Sequence, residues 1–205
     1  MSIIGVTGNI GSGKSLAAAY LQQFGAARID ADIIGHQLLR KGGAAYQPLL
    51  EHFGARILAA DGEIDRRKLA AIVFAADGRE QLQRLNDVTH PLIRRQIQAE
   101  IAAAQRDGYP HIVLEAALLL QAGWRRQVDQ VWLIVAPEAE LVRRVMLRDN
   151  VDEQTARARL ERQLSERQMR ALADRVFCND GSPEQLREAL YAAYSELEHK
   201  ENKNG

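Results

Sequence analysis

Gly8-Asn9-Ile10-Gly11-Ser12-Gly13-Lys14-Ser15 is the stretch whose reading decides the fold. It fits G-x-x-x-x-G-K-[ST], the phosphate-binding loop pattern. The apolar run Ile3-Ile4-Gly5-Val6-Thr7 precedes it and reads as a buried strand. Leu16, Ala17, Tyr20, Leu21 and Phe24 follow with helical spacing. Strand, loop and helix together are the context the pattern requires. Glycines let the backbone curl so that successive N–H groups converge on an anion. The helix that follows adds unsatisfied first-turn donors and its positive dipole end. In such a loop Lys14 supplies a mobile charge for the β- and γ-phosphates, and the Ser15 hydroxyl is placed to bind Mg²⁺. The glycines fall at 8, 11 and 13, which is not G-x-G-x-x-G, so a dinucleotide site is disfavoured.

Outward from the loop, Ala27-Arg28-Ile29-Asp30 reads as a second strand ending in Asp30-Ala31-Asp32. Carboxylates directly after a strand sit at the carboxyl edge of a parallel sheet, where ligands bind in open α/β folds. One of the two is expected to take the proton of an attacking hydroxyl, and either also suits the cap of the helix that follows. Asp32-Ile33-Ile34-Gly35 spells D-x-x-G, a GTPase signature, but no N-K-x-D string accompanies it. From about 36 to 106 the pattern is helical, with turns at Lys41-Gly42-Gly43, Asp61-Gly62, Asp77-Gly78 and Asp107-Gly108. A crossover between parallel strands needs one helix, so this excess reads as a helical insertion at about 35–107. His90-Pro91 sits within it. Pro91 suits the first position of a helix running from Leu92 to Arg106, with Thr89 or His90 at its cap.

His111-Ile112-Val113-Leu114-Glu115 is an apolar run closing on an acid, a third buried strand. Glu115 would share the loop's sheet edge, to hold Mg²⁺ directly or through water, or to act as a cap or ion pair. Ala116-Ala117-Leu118-Leu119-Leu120 reads as a buried helix start, and Val131-Trp132-Leu133-Ile134-Val135 as a fourth strand with Trp132 in the core. Beyond it a helix carries Arg143, Arg144 and Arg148. Residues 149–173 read as an arginine-bearing helical hairpin with a thin apolar stripe, which suits a lid over a triphosphate. Arg175-Val176-Phe177-Cys178 is a short last strand, which places Cys178 as a buried thiol. Ser182-Pro183-Glu184 opens the final helix. The core is thus expected at about 1–34, 108–148 and 174–198, with the lid at about 149–173.

Composition narrows the class. A formal net charge of zero over 205 residues lacks the basic excess of nucleic-acid binders. One cysteine allows no internal disulfide, and no Cys/His cluster has metal-ligand spacing. No apolar run approaches a membrane span and no leader pattern begins the chain, so the expectation is a cytoplasmic protein, monomeric by default.

With these strings in place the chain resembles the dephospho-coenzyme A kinases, P-loop kinases related to nucleoside monophosphate kinases. The resemblance covers about residues 3 to 195. It rests on Thr7 to Ser15, Asp30-Ala31-Asp32, His90-Pro91-Leu92-Ile93, Glu115-Ala116-Ala117-Leu118-Leu119, Arg148-Asp149 and Asn179-Asp180-Gly181. It implies a five-stranded parallel core, a helical substrate-binding domain and a lid. It implies ATP-dependent phosphorylation of the ribose 3′-hydroxyl of dephospho-coenzyme A, with ATP and Mg²⁺ as cofactors. By position, Asp32 matches the family's catalytic aspartate and Gly11, Ser12, Gly13, Lys14, Ser15 and Leu16 match its ATP loop. Arg144 and Arg148 match lid-edge arginines, Asn179 and Gly181 a loop near the adenine, and His90 a substrate-side position. Asn9, Leu16, Ala117, Gln121 and Gly35-His36 depart from the residues most common in the family. The rivals are a kinase for another small hydroxyl or a nucleoside monophosphate, and a nucleotide-dependent regulatory ATPase. A regulatory ATPase needs no acceptor-hydroxyl base, so Asp30-Ala31-Asp32 weighs against it.

Overall fold

The computed structural model describes residues 1–75 and 77–204, with side chains described through 199. The chain divides into two compact units, Met1–Asp30 with Ala103–Gly205, and Ala31–Ala102.

The first unit is a five-stranded parallel sheet of order β2-β3-β1-β4-β5. Its strands are β1 (Ser2–Thr7), β2 (Ala27–Asp30), β3 (His111–Glu115), β4 (Gln130–Val135) and β5 (Arg175–Cys178). All five expected strands are present. Three have the expected bounds, and β1 and β4 each begin one residue earlier. Every residue of β3 is buried, because helices cover both faces of a parallel sheet. Side chains alternate between the faces along each strand. Trp132, Ile134 and Phe177 point to one face, where they pack with Ala17, Leu21 and Tyr194 of α1 (Lys14–Gln23) and α9 (Pro183–Asn204). Leu133 and Val135 point to the other, against Met169 of the short α8 (Glu166–Arg170). Trp132 is fully buried and its indole N–H donates to Gln130 Oε1 at 3.0 Å, as a core tryptophan requires.

Two expectations are corrected here. Cys178 is exposed. It follows the buried Phe177 on an edge strand, so the period of two turns it to the opposite face at the strand's last position. The segment 117–123 is a succession of turns leading into a 3₁₀ turn at Trp124–Gln127 and does not begin an α-helix.

The second unit is helical: α2 (Ala31–Leu39), α3 (Tyr46–Phe53), α4 (Arg66–Val73) and α5 (Arg79–Arg106), the last turn of α5 lying in the first unit. Leu49, Phe53, Ile57, Leu69 and Val73 form its core. Asp65 caps α4 by accepting from the Arg67 and Lys68 backbone N–H groups at 2.8 and 3.2 Å. The helix expected to begin at Pro91 is instead one 28-residue helix with Pro91 inside it. Proline removes a backbone donor and costs about 3 kcal/mol in a helix interior. Leu85, Val88 and Leu92 pack against the unit's core on both sides of the proline, and Ile97 is fully buried. Tertiary packing therefore carries the helix through a residue that would end it in isolation. Thr89, expected near a cap, donates its hydroxyl to the Leu85 carbonyl at 2.8 Å.

His90 lies in the middle of this helix. Burial, and then the Arg94 charge, push its imidazole below the usual histidine value, against a smaller opposing effect of Asp87. The unfolded chain therefore binds the proton more readily than the folded one. That stabilising difference is present above the ordinary histidine value of about 6.5 and is lost as pH falls toward the lowered folded value. Thermal melts should show stability falling between about pH 7 and pH 5, and His90→Gln should flatten that slope. An unchanged slope in His90→Gln would assign the pH dependence to other groups.

Candidate active site

The phosphate loop is shaped by glycine and held by side chains from distant elements. Gly13 has φ +95° and stands at the head of α1, which has no side-chain cap. A Cβ at Gly13 would lie 2.1 Å from Asn179 Nδ2. That amide, buried just past β5, donates to the Ser12 carbonyl at 2.7 Å. Asn179 thus acts on the loop backbone itself. Arg144 of α6 (Glu138–Asp149) donates to the Gly11 carbonyl at 3.2 Å and the Asn179 carbonyl at 3.1 Å. Its Nε is oriented by Glu140 at 2.7 Å. Hydrogen bonds from Arg143 and Arg144 hold Glu140 down to about 2, so this anchor stays ionised at any physiological pH. A third tie comes from Gln163, whose Oε1 accepts the Ile10 backbone N–H at 2.8 Å.

What the loop offers is donor capacity. The first-turn N–H groups at Lys14, Ser15 and Leu16 have no preceding helical acceptor. Ser12 Oγ is buried and has no hydrogen-bond partner. An orphaned hydroxyl beneath a glycine-curled turn at a helix N-terminus fits an anionic group. Replacing Gly13 should damage both shape and site. A left-handed φ costs a non-glycine residue about 1–2 kcal/mol, and the Asn179 hydrogen bond is worth about 1 kcal/mol. Gly13→Ala should therefore lower Tm by several degrees and weaken nucleotide binding; a melt that overlays the parent would show that the loop tolerates the clash.

Beside the loop, Glu115 ends β3 and is 1% exposed. Its register partners are Val6 on β1 and Asp30 on β2. Arg28 on β2 donates to Glu115 Oε2 from Nη2 at 2.7 Å and from Nε at 3.2 Å. A buried carboxylate requires such a partner, because burying an unpaired charge costs several kcal/mol. Glu115 Oε1 accepts from Ser15 Oγ at 2.5 Å. Of the roles open to Glu115, the ion pair is present, and its second oxygen converges with the Ser15 hydroxyl. Two hard oxygens suit Mg²⁺, which keeps several waters and takes few protein ligands. Among the described residues no group of three or more His, Cys, Asp or Glu could hold a metal.

The other expected residues are dispersed. Leu16 is partly exposed on α1. Gly181 lies in the bend before α9, where Ser182 N–H donates to Gln185 Oε1 at 2.8 Å and Gln185 N–H to Ser182 Oγ at 3.3 Å. That reciprocal pair starts the helix at the expected Ser182-Pro183. Arg148 is exposed and bidentate on Asp149, at 2.7 and 3.1 Å. Asp149 is also paired with Arg159 of α7 (Glu153–Glu161). Asp32 and His90 belong to the second unit. There a Cβ at Gly35 of α2 would meet Ile93 Cδ1 of α5 at 3.4 Å. Asp32 stands three residues before Gly35 on α2 and is exposed, and His90 stands three residues before Ile93 on α5.

Arg28, Glu140 and Gln163 escaped the sequence reading. Arg28 has a faint signal: it stands two positions before Asp30, hence on the same face of β2. Gln163 has none, since 153 residues separate it from its partner.

The dephospho-CoA kinase family model matches residues 2–185. Dephospho-CoA kinase of Carboxydothermus hydrogenoformans is 41% identical over 190 residues, which is 93% of this chain and 91% of that protein. That of Geobacter sulfurreducens is 39% identical over 186 residues, 91% of this chain and 93% of that one. Among solved structures, one from Thermus thermophilus superposes with a TM-score of 0.82 at 37% identity, covering 96% of this chain and 97% of its own. Dephospho-CoA kinase from Campylobacter jejuni superposes at 0.69 and 26% identity, covering 95% and 96%. Shikimate kinase from Acinetobacter baumannii, at 13% identity and 0.53, shares the fold. A P-loop kinase sheet, a glycine-shaped anion cradle and relatives alike over nine-tenths of the chain converge on one conclusion: the chain belongs to the dephospho-CoA kinase family, transferases of the last step in coenzyme A biosynthesis.

Proposed function

We propose that this chain transfers the γ-phosphoryl group of ATP to the ribose 3′-hydroxyl of dephospho-coenzyme A, with the loop at residues 8–15 holding the triphosphate. The observation that carries the donor side is the cradle itself: curled backbone, the orphaned Ser12 hydroxyl, Lys14 at the head of α1, and Ser15 facing Glu115. Mg²⁺, held by Ser15 Oγ and by Glu115 directly or through water, would offset charge on the phosphate oxygens. Lys14 and Arg148 stabilise charge on the transferring group, Arg148 by exchanging its Asp149 partner for phosphate oxygens. Arg144 serves the nucleotide side from its position across Gly11 and Asn179, and Gly181 lies in the loop beyond. Asp32, in the first turn of α2, orients and deprotonates the acceptor hydroxyl. Ala31–Ala102 is read as the acceptor-binding unit, with His90 as a substrate-side residue, and α7–α8 as the lid. No helix among the described residues is long and apolar enough to cross a membrane, and the proposed setting is the cytoplasm.

The test is mass spectrometry of the purified chain with MgATP and dephospho-coenzyme A, beside nucleoside monophosphates and shikimate. A gain of one phosphoryl group on dephospho-coenzyme A alone is expected. Transfer only to another acceptor would overturn the substrate, and ATP hydrolysis without an acceptor would favour a regulatory ATPase.

A further inference from the structure

We propose that Gln163 is a positioning residue for phosphoryl transfer, the clasp that fixes the α7–α8 hairpin to the phosphate loop. This rests on the reading of residues 8–15 as the triphosphate site. Gln163 lies in the turn between α7 and α8, with its backbone N–H on the Leu160 carbonyl at 3.0 Å. Its side-chain oxygen accepts the Ile10 N–H at 2.8 Å. Its neighbours in sequence are rooted on both sides. Leu160 and Ile10 both pack against the cluster of Val142, Val145 and Ala156. Leu164 packs beside Leu133, Val135 and Met169. The turn and the loop therefore share one apolar cluster and are joined by one directed hydrogen bond.

The hydrogen bond matters because packing around it is incomplete. Gln163 lines a cavity of about 470 Å³ together with Asn9, Glu138, Leu141, Leu160 and Gln168. Asn9 Oδ1, at the loop's edge, is buried without a hydrogen-bond partner. With open space on this flank, the Gln163 amide is the directed contact that orients the Ile10 peptide, while apolar packing holds its side chain. Ile10 is followed by Gly11, which has φ +83°, so a rotated Ile10 peptide would pass directly into the curled part of the loop.

The residue type is also informative. A neutral amide oxygen satisfies the N–H without placing negative charge beside a triphosphate. A glutamate would make the same hydrogen bond and repel the nucleotide. The two failures are separable. Gln163→Met keeps size and loses the acceptor, so the loop keeps its nucleotide but aims it poorly. Gln163→Glu keeps the acceptor and adds charge, so binding suffers first.

The experiment measures kcat, KM for ATP and amide hydrogen exchange in peptides covering Ile10, after the parent chain has been shown to turn over. A silent parent would sink the reading of the site and leave this inference aside from blame. Given an active parent, Gln163→Met should lower kcat about fivefold, the rate equivalent of one neutral hydrogen bond. Its KM for ATP should stay near the parent's, and exchange at Ile10 should rise. Gln163→Glu should keep Ile10 protected and raise KM for ATP. Parent-like kcat and exchange in Gln163→Met would overturn the proposal. So would a fall in Tm with kcat and KM unchanged per folded molecule, because a merely structural tie behaves that way.

Discussion

Asp32→Asn should lower kcat by about 10²–10⁴-fold, the usual contribution of a positioned general base, while ATP binding stays close to the parent's. The substitution is chosen so that little else changes. Asp32 is in the first turn of α2, directly after β2, and is exposed. Asparagine has the same size and keeps an oxygen able to accept backbone N–H groups, so the start of the helix survives. What is lost is the capacity to accept a proton from the acceptor hydroxyl. In barrier terms that range is about 3–5 kcal/mol, far more than a rearranged surface hydrogen bond supplies. Asp30 is the control, because the sequence offered two carboxylates for one role. Its carboxylate lies 3.8 Å from Arg28 Nη2, next to the Glu115 ion pair. Asp30→Asn should therefore perturb the Arg28–Glu115 pair and affect turnover mildly. Parent-like turnover in Asp32→Asn removes Asp32 from the mechanism, and a large loss confined to Asp30→Asn moves the base to Asp30.

The parts of the fold legible in the sequence are those whose signal is local. His111-Ile112-Val113-Leu114-Glu115 reads as a strand because all five residues are buried and the run is apolar up to its final acid. The phosphate loop reads at once because glycine, lysine and hydroxyl spacing are matters of eight neighbouring residues. Pro91 and Cys178 show where local reasoning fails. Proline's intrinsic cost ends a helix only if packing does not outweigh it, and here Leu85, Val88, Leu92 and Ile97 do outweigh it. Cys178 belongs to an apolar triplet, but a strand at the sheet's edge has neighbours on one side only, and burial of Phe177 says nothing about the next residue.

The supports of the site were not legible, for the same reason. The Arg28–Glu115 pair spans 87 residues, Arg144 to Gly11 spans 133, and Asn179 to Ser12 spans 167. Each depends on which strand lies beside which, information no short window holds. The resemblance marks Arg144 as a lid-edge arginine and Asn179 as part of a loop near the adenine, and neither reading contains the contacts to the loop backbone. In the structure both act on carbonyls of the loop and take up none of its N–H groups.

Lys14→Ala should separate function from stability in the opposite sense to Gly13→Ala. Lys14 is the first residue of α1, where the helix dipole is positive and a cation is unfavourable. Removing that charge should leave Tm unchanged or slightly raised. The loop should also keep its shape, because its backbone is held by Arg144, Asn179 and Gln163 and not by Lys14. Activity should nevertheless fall. A charged hydrogen bond is worth about 1.5–3 kcal/mol, so ATP affinity should weaken about tenfold to a hundredfold. Turnover at saturating ATP should drop by about a further 10²–10³-fold, the cost of removing one donor aimed at transition-state charge. Lys14→Arg should not restore it, since a bulkier planar fork cannot replace a compact ammonium in a loop curled this tightly. Isothermal titration with ATP, saturating kinetics and melts on the three proteins decide the matter. A Lys14→Ala protein that binds and transfers like its parent would falsify the phosphate-loop assignment. One that loses activity only by unfolding would place Lys14 among the residues that build the loop and not among those that act on phosphate.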